Sequence, residues 1–246
     1  MKIITSRQNE QIKELTLLHQ PKYRKKLQQF LAQGMRTVTT LMGKLEPLQL
    51  YMTEEFFNQH KKDFKTDKIT IISQEVLEKI STTATSQGIV GLFAIPKSSD
   101  KSLTKGLVLC NITDPGNMGT LIRTAAAMNV KTVVLIDGVD PWSPKVVQAT
   151  AGTLASVNII ECSWQELINR KAALKLCALV VKDGQNTNIL SRDDILIVVG
   201  NEAVGIPAQW LRDCELNCTL SMPGNTESLN AAIAGSIALY LAFIKK

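Results

Sequence analysis

Three short polar stretches in the second half of the chain hold the residue types that do chemistry. NITDPGNMGTLIRTA follows the apolar run GLVLC and carries Asn111, Asp114, Asn117 and Arg123. GNEAVGIP closes the run ILIVVG and carries Glu202, and PGNTESLN follows CTLSM and carries Ser228 and Asn230. Each stretch contains glycine, so backbone amides can come close to a ligand. Ordinary tight turns would account for the Gly and Pro residues. They would not call for Asn111, Arg123, Glu202, Ser228 and Asn230 at three such corners. Other chemistries are disfavoured by what is scarce. The chain has two histidines, His19 and His60, too few for a multi-histidine metal site, and they make a serine–histidine hydrolase an unattractive reading. Its five cysteines lack CxxC spacing and lie mostly in apolar surroundings, so they read as reduced core thiols and no metal is expected.

The elements that must position these residues can be read from the apolar pattern. GLVLC, TVVLI, ALVV and ILIVVG look like strands buried on both faces with helices between them, the marks of an α/β, helix-covered parallel sheet. In open sheets of that kind, ligands bind at the carboxyl ends of the strands, where the three polar stretches fall. DPWSPKVV reads as a helix start, with Ser143 as cap and Pro144 in the first turn. The first part of the chain shows helical spacing in QNEQIKELTLL and again in KYRKKLQQFLA. After these come short strands at LQLYM, KITII and GIVGLFAI, with a helix at SQEVLEKI, which makes a small α/β domain. A polar, turn-rich stretch at PKSSDKSLTK suggests a boundary, giving residues 1–96, a linker over 97–105, and residues 106–246.

Charge divides the chain at the same place. The net charge of +6 is made of +7 through Lys105 and −1 from Gly106 onward. A basic module that binds a polyanion, joined to a nearly neutral one, fits that asymmetry. The densest patch is KYRKK, whose Lys22, Arg24, Lys25 and Lys26 are candidate nucleic-acid-binding residues together with Arg36; its bland alternative is a solvated helix face. With 246 residues, 45% hydrophobic, there is enough for one large domain or two modest ones. The apolar runs fall short of the roughly 18 residues a membrane span needs, and MKIITSRQNE has no apolar signal core, so the expectation is a soluble cytoplasmic protein.

The three stretches resemble the three motifs of the SpoU (TrmH-type) RNA ribose 2′-O-methyltransferases of the SPOUT superfamily. The first matches NxxDPxNxGxxxRTA through Asn111, Asp114, Pro115, Asn117, Gly119, Arg123, Thr124 and Ala125. The second matches GxExxGxP through Gly200, Glu202, Gly205 and Pro207. The third matches MxGxxxSLN through Met222, Gly224, Ser228, Leu229 and Asn230. ITSRQN, FLAQGMR and SQGIVGLF also resemble the substrate-binding extension of this family. Two positions depart from the family pattern. Asn129 stands where Gly is usual after the first helix, a left-handed position for which Asn is second choice. Ala231, Ala232 and Ile233 replace a VSV run and keep small residues there.

The resemblance implies a C-terminal parallel sheet with a deep trefoil knot. It implies S-adenosylmethionine held by the knot loops near Gly200, Asn201, Leu220, Met222 and Leu229, and a homodimer in which the apolar C-terminal helix is either interface or core. A Rossmann-type site is disfavoured, because GLVLCNITD has no glycine-rich turn. The implied reaction is S-adenosylmethionine-dependent methylation of a ribose 2′-hydroxyl in RNA, with 23S-type ribosomal RNA preferred. The alternatives are a tRNA 2′-O-methyltransferase and a non-catalytic RNA-binding or ribosome-assembly factor. Asn111, Arg123, Glu202, Ser228 and Asn230 are the implied catalytic set. A guanidinium is effectively never deprotonated, so Arg123 is expected to clamp a phosphate and orient the 2′-oxygen. Asn111 and Asn230 would position the ribose or the loop, and Glu202 would anchor Arg123 or the backbone. Ser228 would bond substrate or act as a helix cap. Asp114 and Pro115 would shape the turn.

Overall fold

The fold comes from a computed structural model, which describes residues 2–82, 87–98, 102–224 and 227–244. Within the stretches named above, Ser86, residues 99–101 of the linker, Asn225 and Thr226 lie outside the described residues. Contacts divide the chain into two compact units. One is Met1–Lys97 with Asp140–Ala155; the other is Ser98–Val139 with Ser156–Lys246.

The first unit runs β1 (Lys2–Ile4), α1 (Glu10–Leu17), α2 (Pro21–Leu27), β2 (Gln29–Gln33), α3 (Met35–Met42), β3 (Gln49–Thr53), α4 (Glu54–His60), β4 (Ile69–Ile72), α5 (Gln74–Ile80) and β5 (Ile89–Ala94). The strand order is β1-β4-β3-β5-β2. β1, β4 and β3 are parallel, and β5 runs antiparallel to β3 and β2. On one face Ile12, Leu15 and Leu18 meet Val76, Leu77 and Ile80 over Leu31, Tyr51, Ile72 and Val90. The alternate residue Phe30 stacks on Phe93 with ring centres 5.8 Å apart and meets Trp142 at 5.1 Å. The helix expected over KYRKKLQQFLA ends early. Gln28 takes a left-handed backbone (φ 52), and Gln29–Gln33 become a strand paired with β5. Phe30, Leu31 and Ala32 are all buried. A strand can bury consecutive side chains on its two faces, and this outweighs their helical spacing.

The second unit begins with β6 (Gly106–Cys110), α6 (Pro115–Ala127) and β7 (Thr132–Ile136). The next helix, α7 (Pro144–Ala149), belongs to the first unit and packs along β2, the edge strand there. The chain then continues through β8 (Asn158–Glu161), α8 (Trp164–Arg170), β9 (Lys175–Leu179), β10 (Ile195–Val199), α9 (Ala208–Leu211), β11 (Leu216–Cys218) and α10 (Ala231–Phe243). All six strands are parallel, in the order β11-β9-β10-β6-β7-β8. Val108, Val134, Leu196 and Val198 face Trp164 and Leu167 of α8. On the other face α10 lies against α6 and β10. A Cβ on Gly235 would come 2.4 Å from Leu121 and 3.1 Å from Val199, so glycine permits this close approach.

Several expectations shift by a few residues. β9 begins at Lys175 and ends at Leu179, which leaves Val180 and Val181 of ALVV in the following loop. β11 ends at Cys218, before most of CTLSM, and β1 and β8 are strands the apolar pattern did not single out. The helix start read at Ser143 and Pro144 holds. Asp114, expected to shape the turn, does so as the cap of α6, accepting from the Asn117 amide at 2.8 Å, with Pro115 in the first turn. Ser143 caps α7. Asn129 adopts the left-handed conformation (φ 56) expected of it.

Candidate active site

The loops leaving β9, β10 and β11 surround a cavity of about 380 Å³. Most of the side chains that line it are apolar, Leu179, Val180, Val199, Ile206 and Leu220 among them, and polar atoms contribute almost as much of its exposed surface. Gly200, Asn201, Leu220, Met222 and Leu229, the residues implied to hold a cofactor, all line it, as do Glu202 and Ser228. Asn111, Arg123 and Asn230 are not part of that wall. The volume falls in the range of small-molecule sites, roughly 300–1,000 Å³.

The loop after β10 is built by Asn201. Its main chain exchanges two hydrogen bonds with Gly205, and its side-chain oxygen accepts from the Ala203 and Val204 amides at 2.9 and 3.1 Å. Its Nδ2 donates to the Asn111 carbonyl at 2.8 Å. A Cβ on Gly200 would lie 2.4 Å from the Gly205 carbonyl carbon, so the loop closes back on a position only glycine fills. Asn201 therefore shapes the cavity with its polar atoms already engaged. Asn111 has the same character. Its backbone is left-handed (φ 54), its N–H donates to the Ile136 carbonyl at 2.9 Å, and its own carbonyl receives Asn201. It works as a turn residue joining the first and second polar stretches.

Beside the cavity, three side chains form a directed chain. Asn230 caps α10, its Oδ1 accepting from the Ala232 and Ile233 amides at 2.9 and 3.2 Å. Its Nδ2 donates to the Asn117 Oδ1 at 3.1 Å, and the Asn117 Nδ2 donates to the Glu202 Oε1 at 2.6 Å. Backbone N–H groups can meet only the oxygen of an amide, so the orientation of each Asn follows from the helix end. Asn117 is the functional residue that the implied catalytic set omits. Its place in the first motif was the available signal, but the contact it makes lies 113 residues away in sequence.

For two residues one of the two expected roles drops out. Asn230, and not Ser228, caps the last helix, which leaves Ser228 as an exposed side chain on the cavity wall. Glu202 pairs with Asn117 instead of anchoring Arg123. Among the described residues Arg123 has neither an ion pair nor a side-chain hydrogen bond, and it is exposed. Six residues beyond Asn117 on α6, it projects about a third of a turn round the helix from it.

The other candidate residues lie in the first unit. Lys22, Lys25 and Lys26 are exposed on α2, and Arg36 is exposed on α3. Arg24 is a correction to the basic patch. It is 2% exposed, its Nη2 is 2.7 Å from Asp140, its Nε donates to the same oxygen at 2.8 Å, and its Nη1 donates to the Leu18 carbonyl at 2.6 Å. Among the described residues no cluster of His, Cys, Asp and Glu could hold a metal ion. Burial pushes the thiol of Cys218, on the cavity wall, above its ordinary pKa, so it stays protonated and is no nucleophile at neutral pH.

Comparison with known proteins gives a consistent picture. Residues 105–240 match the SpoU rRNA Methylase family, and residues 9–91 match the MRM3-like substrate binding domain. Over 98% of both chains the sequence is 27% identical to RlmP of Bacillus subtilis, named as a 23S rRNA guanosine 2′-O-methyltransferase. It is 31% identical to an uncharacterized tRNA/rRNA methyltransferase of Synechocystis, over 97% of this chain and 92% of that one. Among solved structures, an AdoMet-bound rRNA methyltransferase from Sinorhizobium meliloti superposes with a TM-score of 0.83 at 25% identity, covering 98% of this chain and 97% of the other.

Proposed function

The chain belongs to the SpoU rRNA methylase family, and we propose on that premise that the cavity is its methyl-donor pocket and ribosomal RNA its substrate. The protein is an S-adenosylmethionine-dependent RNA ribose 2′-O-methyltransferase. The observation that carries this reading is the cavity itself, walled by the second and third motif loops and flanked by the Asn230–Asn117–Glu202 chain. The residues fit the cofactor. Apolar side chains suit the flat faces of a purine, polar atoms of the wall are available to a sugar, and glycine at 200 lets the loop pass close. S-adenosylmethionine supplies an electrophilic methyl group on a sulfonium.

The chain's own residues supply the rest. A ribose hydroxyl is a poor nucleophile until it is oriented and its proton has somewhere to go. The exposed and unpaired Arg123 grips the phosphate beside the target ribose and holds the 2′-oxygen in line, with the proton leaving to phosphate or water. Ser228 presents a hydroxyl at the cavity, and Asn117 and Asn230 hold Glu202 in place beside it. Lys22, Lys25, Lys26 and Arg36 of the first unit grip the RNA by its phosphates, within a chain that keeps a surplus of +7 through Lys105. Arg24 holds its own unit together instead.

Three further parts belong to the proposal. The first is the trefoil knot of the second unit. β10 sits between β6 and β9, and the chain beyond β11 returns to lay α10 over β10, an arrangement compatible with a threaded end. The second is a homodimer. Ile233, Ile237, Tyr240 and Leu241 are exposed at helical spacing along α10, with Ile244 exposed just past its end, an apolar stripe suited to a second copy. A partner there would bring its own residues near the exposed Arg123. The third is a cytoplasmic location, supported by five cysteines that all remain free thiols. Mapping 2′-O-methyl groups across total RNA from cells with and without the protein tests the function. The expected result is one ribosomal RNA position that loses its methyl; no change in rRNA would overturn the substrate assignment.

A further inference from the structure

Glu202 is the one charged side chain among the described residues that line the cavity. No lysine or arginine forms an ion pair with it among the described residues. Its hydrogen-bond partner is the neutral Asn117, whose Nδ2 is turned towards it by Asn230, which is itself turned by the amides that open α10. The chain of amides therefore presents a donor to the carboxylate and brings no compensating charge. Cys218, the other titratable side chain on the wall, is neutral. The other lining side chains are apolar or neutral, and Glu202 is itself exposed, so its charge acts on a ligand across a partly hydrated space.

We propose that Glu202 makes the pocket charge-selective, so that it holds the cationic methyl donor and releases the neutral product of transfer. This rests on the reading of the cavity as the donor pocket. S-adenosylmethionine and S-adenosylhomocysteine share their adenosine and amino-acid groups and differ in one methyl and one positive charge. Apolar contacts alone would hold the two almost equally, and product would compete with donor. A fixed carboxylate at the pocket adds attraction for the sulfonium that vanishes when the methyl leaves. For a partly hydrated charge pair, that difference amounts to about tenfold in Kd. On this account Glu202 acts in turnover and needs no contact with the RNA.

Calorimetry on the full-length protein tests it with three ligands: S-adenosylmethionine, S-adenosylhomocysteine and sinefungin, which carries a protonated amine in place of the sulfonium. The wild-type protein should bind the two cationic ligands about tenfold more tightly than S-adenosylhomocysteine, and the preference should shrink as salt rises. Glu202→Gln keeps an oxygen for Asn117 and removes the charge. It should weaken S-adenosylmethionine and sinefungin about tenfold and leave S-adenosylhomocysteine within twofold. If all three ligands weaken together, or if the preference survives the substitution, the carboxylate is not the selector and the proposal falls alone. If none of the three binds the wild-type protein, the donor-pocket reading falls and the proposal with it.

Discussion

The Arg24 guanidinium is buried between the Leu18 carbonyl and Asp140, with each contact at hydrogen-bond distance. Removing it leaves the Asp140 carboxylate, 14% exposed, without its partner. Breaking a buried pair in this way costs about 3–5 kcal/mol, so Arg24→Met should lower the urea midpoint markedly. Lys22→Ala, Lys25→Ala and Lys26→Ala together remove exposed charge and one surface contact, that of Lys22 over the Tyr23 ring at 4.8 Å. They should leave that midpoint in place while weakening RNA binding and flattening its salt dependence, as read by filter binding at several salt concentrations. Five consecutive residues, KYRKK, thus hold two kinds of cation, which composition does not separate. Asn117 and Asn230 make a similar contrast. Either substitution by Ala breaks the chain to Glu202 and should slow methyl transfer about ten- to a hundredfold. Asn230→Ala also loses a helix cap worth about 1 kcal/mol, so it alone should lower Tm. The opposite pattern in a melting experiment would mean that the cap is made by another residue. Thiol alkylation addresses the cysteines. Burial pushes Cys177 up to about 12 and raises Cys110 and Cys218 as well, so these three should stay unmodified at pH 8 until the protein is unfolded.

At the scale of elements, the first unit depends on a segment that the linear sequence places elsewhere. β2 is an edge strand, and edge strands left open pair with other chains. Here α7 packs along it, and Trp142, just before α7, is buried against Phe30. Residues 1–97 expressed alone should therefore give poorly dispersed NMR spectra and aggregate, whereas the same residues fused to 140–155 should fold. A well-folded 1–97 fragment would show that the segment is dispensable. The sequence made the parallel strands legible because buried strands are continuous apolar runs, and it made the start of α7 legible through Ser143 and the end of α6 through Asn129, because both follow local turn chemistry. QQFLA misled because its spacing suits a helix while its burial on two faces suits a strand. The Asn230–Asn117–Glu202 chain was invisible because residue types and motif membership say nothing about which amide meets which amide or carboxylate across 113 and 85 positions.

For the whole molecule, RNA recognition and methyl transfer are assigned to two compact units that share one chain. The apolar stripe on α10 gives the proposed dimer a specific test. Ile237→Lys with Tyr240→Glu places charges on two exposed positions of the helix and should produce a monomer in sedimentation equilibrium, with methyl transfer lost in parallel. A fully active monomer would contradict the shared site. The central claim, ribose methylation that requires a guanidinium at position 123, is tested most directly by transferring labelled methyl from S-adenosylmethionine to ribosomal RNA in vitro and identifying the modified nucleoside by mass spectrometry after complete digestion. The account predicts a single 2′-O-methylated nucleoside with the wild-type protein and a large loss of turnover in Arg123→Lys, whose ammonium lacks the planar fork. A label on a base, or near-wild-type turnover with lysine at that position, would contradict it.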